Sequence, residues 1–254
     1  MKFGLEGKSV LVMAGSQGIG LASAQGFHQL GARVTIAARG VAALDEALAL
    51  MPGAIAVRAD VTDPSGIADA VAAAGAVDVL VNNAGGPPAG LFDALDDSAW
   101  QSAVDLTLMS AVRATRAVLP HMRAQRWGRI VNISSYGVKQ PVPNLTLSNA
   151  IRMAVLGWAK TLADQVGPDN VTVNTVCPGW TRTARVTSLF EKQSRESGVG
   201  QDALSRDLET QIPLRRIGEP EEIANMVVFL GSEAASYITG AAIQVDGGIV
   251  KGYA

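Results

Sequence analysis

The chain has 254 residues, 48% of them apolar, and a formal net charge of -2. That is enough apolar surface for a sizeable core, and charges so few and so balanced exclude a nucleic-acid footprint or a polybasic membrane patch. One cysteine, Cys177, forbids an intrachain disulfide, and two histidines, His28 and His121, do not make a zinc site, so no metal is expected. No apolar stretch is long enough to span a bilayer and residues 1–12 lack a signal-peptide core, so a cytoplasmic protein with no membrane partner is expected.

Short apolar runs at 9–14, 33–38, 54–59, 78–82, 129–133, 171–176 and 242–245 alternate with helically spaced segments at 20–30, 42–50, 67–74, 100–122 and 148–166. Most of the runs are rich in Val and Ile and bounded by Gly, Pro, Asn or Asp, which predicts strands covered on both faces. Strand and helix in repetition, joined by right-handed crossovers, predict one doubly wound α/β domain over 1–254 with a seven-stranded parallel sheet. Pro64 opens a predicted helix with Thr62 or Asp63 as its cap. The charged stretch 187–211 has no strand character. It fits a surface loop, or a lid over 184–212 at the carboxyl edge of the sheet.

The first run leads through Gly15-Ser16-Gln17-Gly18-Ile19-Gly20 into a helix. Glycines there let the backbone approach a pyrophosphate, and the helix N-terminus supplies N–H groups and a positive dipole end. Ordinary strand-to-helix turns have the same look, so the turn does not suffice alone. Asp60-Val61-Thr62 follows the third run, Asn82-Asn83-Ala84-Gly85 the fourth, and Pro178-Gly179-Trp180-Thr181-Arg182-Thr183 the sixth. All stand at carboxyl ends of strands, where open sheets bind ligands, and together they predict a dinucleotide site. The second run ends in Ala37-Ala38-Arg39. It offers no carboxylate to a ribose 2′-OH and a guanidinium fork to a 2′-phosphate, so NADP(H) is preferred; NAD(H) is possible if Arg39 only stacks on the adenine.

NNAG at 82–85, GRIVNISS at 128–135, PGWTRT at 178–183 and YITGAAIQVDGG at 237–248 make the chain resemble the short-chain dehydrogenase/reductase family, from residue 7 to residue 248. The resemblance implies a Rossmann-like fold, an oxidoreductase acting on a small-molecule carbonyl or alcohol, and a homotetramer or homodimer joined through 100–122 and 148–166. Ala154, Gly157 and Ala159 are compatible with close helix approach at such an interface. It further implies that Asp60 sits against the adenine, that Asn83, Ala84 and Gly85 line the cofactor, and that Thr183 holds the carboxamide side of the nicotinamide. Val61, Pro178, Gly179 and Thr181 belong to the same frame. Where the family writes Thr-Gly in its first turn, this chain has Met13-Ala14, and Gly15 is expected to supply the freedom lost at Ala14.

The family's chemistry uses a Tyr acid–base group, a Lys four positions later, a Ser that polarises the carbonyl, and an Asn on the preceding helix. Ser135 matches the Ser, but Ser148 stands at the Tyr position, Arg152 at the Lys position and Thr107 at the Asn position. This is similar to a minor branch of the family that carries a proline-bearing segment, here 138–145, and a Ser-Asn-x-x-Arg motif. A serine hydroxyl is a far weaker acid than a phenol, and arginine, with a pKa above about 12, does not readily cycle protons. Three sources of the proton stay open: Lys139, on the loop between Ser135 and Ser148; Tyr136, expected to point away because it neighbours Ser135 on an extended chain; and solvent, with Ser135 and Arg152 stabilising an oxyanion. Arg152 would also orient the nicotinamide ribose. Trp180, Pro87, Pro88 and Val142 are candidate pocket walls, and Arg113, Arg116, Arg123, Arg126 and Arg129 fit a solvated or subunit-facing surface. A nucleotide-binding protein without redox turnover, or a lyase or isomerase using the same pocket, is the competing reading.

Overall fold

The Val- and Ile-rich runs pair edge to edge. In the computed structural model, which describes residues 2–252, they form a seven-stranded parallel sheet in the order β3-β2-β1-β4-β5-β6-β7. The strands are β1 (Ser9–Met13), β2 (Arg33–Ala38), β3 (Ile55–Arg58), β4 (Val79–Asn82), β5 (Gly128–Ile133), β6 (Val171–Pro178) and β7 (Ala242–Val245). One face is covered by α1 (Gly18–Gln29) and α9 (Pro220–Leu230), whose Phe27 and Val227 pack on Val10, Ile36 and Val79. The other is covered by α3 (Pro64–Ala74), α5 (Ser110–Ala124) and α6 (Thr146–Val166), which bury Leu11, Leu80 and Ile130. The order reverses between β1 and β4, and a crevice opens there at the carboxyl ends of the strands.

Of the two candidate caps for α3, Asp63 fills the role, its carboxylate accepting from the Ser65 amide at 2.9 Å. The helix expected over 100–122 is broken in the middle. α4 (Asp97–Ala103) passes through a π-helical stretch, Val104–Met109, into α5, and Thr107 is buried in that stretch. The charged stretch 187–211 is helical and not a loop: α7 (Ala184–Ser197) and α8 (Gln201–Gln211) turn at Gly198. Phe190 of α7 and Leu208 of α8 stand among the charges and pack against Tyr136, Val142 and Ile212. α2 (Val41–Ala49) completes the set of helices. None of the helices among the described residues is long and apolar enough to cross a membrane.

Two surface assignments change. Arg129 is fully buried, donating to the carbonyls of Ser232, Gly128 and Asn170 at the foot of the sheet. Ala159 faces the core with Ala163, so only Ala154 and Gly157 of the small-residue set stay exposed on α6.

The β1–α1 turn also differs from expectation. Ala14 itself takes the left-handed conformation, with φ 46°, and Gly15 does not. Gly15 is needed for room, because a Cβ there would lie 2.9 Å from the Ile36 side chain and from the Val12 carbonyl. An alanine in left-handed geometry is strained by about 1–2 kcal/mol, part of which a glycine loses again to unfolded-state entropy. Ala14→Gly is therefore expected to stabilise the fold by about 0.5–1 kcal/mol. A urea midpoint at or below that of the parent would contradict the strain.

Candidate active site

The crevice at the switch point has a volume of about 320 Å³. Its floor is the β1–α1 turn. Gly18 has φ 54°, and the N-terminus of α1 carries no side-chain cap, so its first amides face the crevice without a protein acceptor. A Cβ on Gly20 would strike the Ala14 carbonyl and lie 2.7 Å from Asn83 Nδ2. Asn83 donates to that same carbonyl at 3.1 Å, so the loop after β4 braces the turn. Backbone this bare at a helix N-terminus fits a diphosphate. Gln17, Gly18, Ile19, Asn83, Ala84 and Gly85 line the crevice, as do Pro178, Gly179, Thr181 and Thr183, the last of them next to Gly18.

Other residues of the expected frame stand off the crevice wall. Gly15 and Gly20 are buried under the turn, Ser16 is half-buried, and Val61 is in the core beside Leu11 and Ala37. Arg39 is largely exposed, 3.8 Å from the Asp60 carboxylate. The Thr62 amide and hydroxyl, at 2.9 and 2.8 Å, fix Asp60. Those bonds, with Arg39 behind them, hold its carboxyl below the usual range.

The reacting end is built by β5, the segment after it, and α6. Ser135 Oγ accepts from the Gly137 amide at 3.0 Å. Tyr136 opens a 3-10 turn, Tyr136–Val138, instead of continuing the strand. The alternation argument therefore fails for it: Tyr136 lines the crevice and is buried. Burial raises its pKa, and Trp180 beside the hydroxyl only partly offsets this, so it is a neutral phenol. Lys139 closes the turn and is not on the crevice wall. It lies near Cys177, whose thiol burial pushes up to about 11 against the pull of Lys139 and Arg152.

Ser148 and Arg152 are one helical turn apart on α6 and share its sheet-facing side. Arg152 Nε donates to Ser148 Oγ at 3.2 Å, and one terminal nitrogen donates to the carbonyls of Ile133 and Ser134 at 3.0 and 2.9 Å. Burial, then repulsion from Arg185, brings the guanidinium pKa down to about 10, so it stays cationic at neutral pH. Behind it is a cavity of about 20 Å³, in whose wall Thr107 Oγ1, Ser134 Oγ and Asn82 Oδ1 have no protein partner. A polar cavity of that size suits one water.

Two residues, one behind the crevice wall and one on it, had no role in the sequence reading. Asn149 donates to the Val142 carbonyl at 2.9 Å and accepts from the Val142 amide at 3.2 Å. It pins the proline-bearing segment to α6, and its place inside Ser-Asn-x-x-Arg was the available signal. Arg185, two residues past Thr183, lines the crevice as well. A larger hollow of about 780 Å³ adjoins, between α7, α8 and the 140–145 segment, and shares Tyr136, Val142, Trp180 and Leu189 with the crevice. Trp180 stacks on Phe190 with ring centroids 5.9 Å apart.

Residues 13–250 match the family model described as Enoyl-(Acyl carrier protein) reductase. The chain is 36% identical to the 3-oxoacyl-acyl-carrier-protein reductase of Thermotoga maritima, over 97% of this chain and 99% of that one. It superposes on the L-sorbose reductase of Gluconobacter frateurii, solved with NADPH and L-sorbose, with a TM-score of 0.93, at 34% identity over 99% of this chain and all of that one. The chain is a short-chain dehydrogenase/reductase. An NADPH-bound short-chain oxidoreductase from Pseudomonas aeruginosa PAO1 that contains an atypical catalytic center also superposes, with a TM-score of 0.87, at 31% identity over 97% of this chain and 99% of that one.

In this short-chain dehydrogenase/reductase Ser135, Ser148 and Arg152 meet at one crevice, and Asn149 holds the wall beside them. Asn149→Ala leaves the Val142 amide without its acceptor and the Val142 carbonyl with only the Leu145 amide. It is expected to destabilise the fold by about 1–3 kcal/mol and to raise hydrogen exchange at the Val142 amide. Exchange at that amide equal to the parent's would show that Asn149 does not hold the segment.

Proposed function

We propose that the chain is an NADP(H)-dependent oxidoreductase interconverting a small carbonyl compound and its alcohol at Ser135, Ser148 and Arg152. The observation that carries this reading is the buried Arg152 cation bonded to Ser148 Oγ at the end of a crevice floored by the bare N-terminus of α1. Support for the cofactor comes from the related L-sorbose reductase, solved with NADPH, and from Arg39, which has no acidic residue next to it in sequence to repel a 2′-phosphate. The Asp60 carboxylate, 3.8 Å away, is an exposed and weak partner that leaves the Arg39 guanidinium available to a phosphate. When bound, the nicotinamide supplies or accepts the hydride.

The chain's own residues supply donors. Ser135 Oγ accepts from Gly137 N–H, and Ser148 Oγ accepts from Arg152 Nε–H. Each serine therefore has its O–H free to donate to the substrate oxygen. A hydroxyl that accepts from a buried cation is a stronger donor, because charge development on its oxygen is offset. Two such hydroxyls make an oxyanion site. Arg152 holds its proton, burial makes the Tyr136 phenol a weaker acid than a free one, and Lys139 is off the wall, so the proton that completes the alcohol comes from solvent. Residues 184–212 form the lid over this end, and Ala154 and Gly157 on α6 lie in the contact between subunits of a homotetramer or homodimer.

Calorimetry with NADPH and NADH tests the cofactor reading. NADPH is expected to bind the more tightly, and Arg39→Gln to weaken it on the order of tenfold while leaving NADH unchanged. If neither dinucleotide associates, the reading fails. Turnover on a carbonyl panel tests the chemistry. Ser148→Ala is expected to lower kcat by about 10²–10³. The reduction rate at saturation should be level from about pH 6 to about pH 9, then fall as Arg152 loses its proton at a pKa of about 10. A limb near neutrality would mean that a titrating side chain gives the proton.

A further inference from the structure

Two guanidinium groups line the crevice, those of Arg152 and Arg185, and no Asp or Glu does so among the described residues. Arg152 is engaged by three acceptors. Arg185, on the first turn of α7, donates one N–H to the Pro87 carbonyl at 2.6 Å. Its Nε side lies flat over Gly86, where a Cβ would come within 2.9 Å. The rest of a five-donor fork is unmatched. The group is half-buried, and burial pulls its pKa down with no carboxylate to oppose it. It also lies close enough to Arg152 to depress that pKa. Neighbouring cations are neutralised: Arg182 pairs with Glu209 and Glu219, and Lys192 with Glu196.

A partly desolvated cation facing a second one is costly unless an anion joins them. The bare N-terminus of α1 already offers its amides to a dinucleotide diphosphate, on the floor of the crevice. Arg185 is braced elsewhere, on Gly86 and Pro87 past the loop after β4, and within electrostatic reach of the group that holds Ser148. The wall around it, Tyr136, Val142, Trp180 and Leu189, is mostly apolar, which sharpens the preference for one well-placed charge.

We propose that Arg185 is a specificity-determining residue whose guanidinium receives a carboxylate borne by the substrate, so that the substrates are oxo acids and the matching hydroxy acids. This rests on the oxidoreductase reading given above. A planar carboxylate matches the open face of the fork.

The test is calorimetric titration of the protein loaded with NADP⁺, in which no carbonyl is reduced. The probes are pyruvate, acetoacetate and levulinate, each beside its methyl ester. At least one acid should bind on the order of tenfold more tightly than its ester. Arg185→Gln should erase that difference and change NADP⁺ affinity less than about twofold, and Arg185→Lys should keep part of it. The proposal is overturned if no acid binds, if every ester binds as well as its acid, or if Arg185→Gln weakens NADP⁺ instead, which would give the guanidinium to the cofactor diphosphate. NADPH oxidation by the same panel reads the other claim: acids that bind through Arg185 but are never reduced would sink the oxidoreductase reading alone.

Discussion

The site depends on a buried guanidinium, Arg152, that has no carboxylate partner among the described residues. Moving an arginine out of water costs several kcal/mol unless its donors are met. Here the Nε and one terminal nitrogen are met by the carbonyls of Ile133 and Ser134, where β5 ends, and by Ser148. This sets strict conditions on the backbone. β5 must stop at Ile133 so that its last carbonyls turn toward α6, and α6 must start early enough for Arg152 to fall one turn after Ser148. With about 100° of rotation per residue, the next position, Asn149, then faces the 139–145 segment, where it holds Val142 by both backbone groups. Serine, asparagine and arginine at that spacing are thus one mechanical unit: two residues fix the charge against the sheet, and the third fixes the wall of the crevice.

The same unit changes the kind of chemistry available. Where a lysine stands near a tyrosine, the cation lowers the phenol pKa and makes it an acid near neutrality. Among the described residues the one phenol at the crevice, Tyr136, is pushed the other way by burial, and the cation is bonded to a serine. In the function proposed above, what the site gains is donor strength without acidity. Catalysis of that type acts through preorganised hydrogen bonds, whose effect grows as water is excluded. The helices α7 and α8, which pack Phe190 and Leu208 against Tyr136, Val142 and Ile212, bear directly on that exclusion.

The sheet was legible because its central strands are short apolar runs covered on both faces, and because turn residues punctuate the runs. The crevice was legible because its glycines and asparagines stand at carboxyl ends of strands. Missed features share a cause: in each, tertiary contact overrode a local rule. α7 and α8 look like a charged loop because most of their surface is solvated, and the few apolar residues that dock them are diluted among Lys, Arg, Glu and Asp. Ala14 carries strain that a glycine was expected to carry, because Gly15 is reserved for contact with Ile36. Tyr136 enters the crevice because the chain leaves β5 in a tight turn, which alternation along a strand does not foresee. Arg129 is charged yet buried, since three backbone carbonyls at the foot of the sheet converge on it.

The small cavity behind Arg152 ties the remaining substitution to the others. A guanidinium has five N–H donors. The Nε proton and one terminal nitrogen are used on Ser148, Ile133 and Ser134, which leaves the second terminal nitrogen without a protein acceptor. Arg152 forms part of the cavity wall together with Thr107, Ser134 and Asn82, whose side-chain oxygens are also unmatched. Donors and acceptors that cannot reach one another directly, around a space the size of one water, form a complete set once bridged. The π-helical stretch, Val104–Met109, sets Thr107 at this cavity. Thr107, Ser134 and Arg152 therefore meet around one water-sized space, directly behind the guanidinium that holds Ser148.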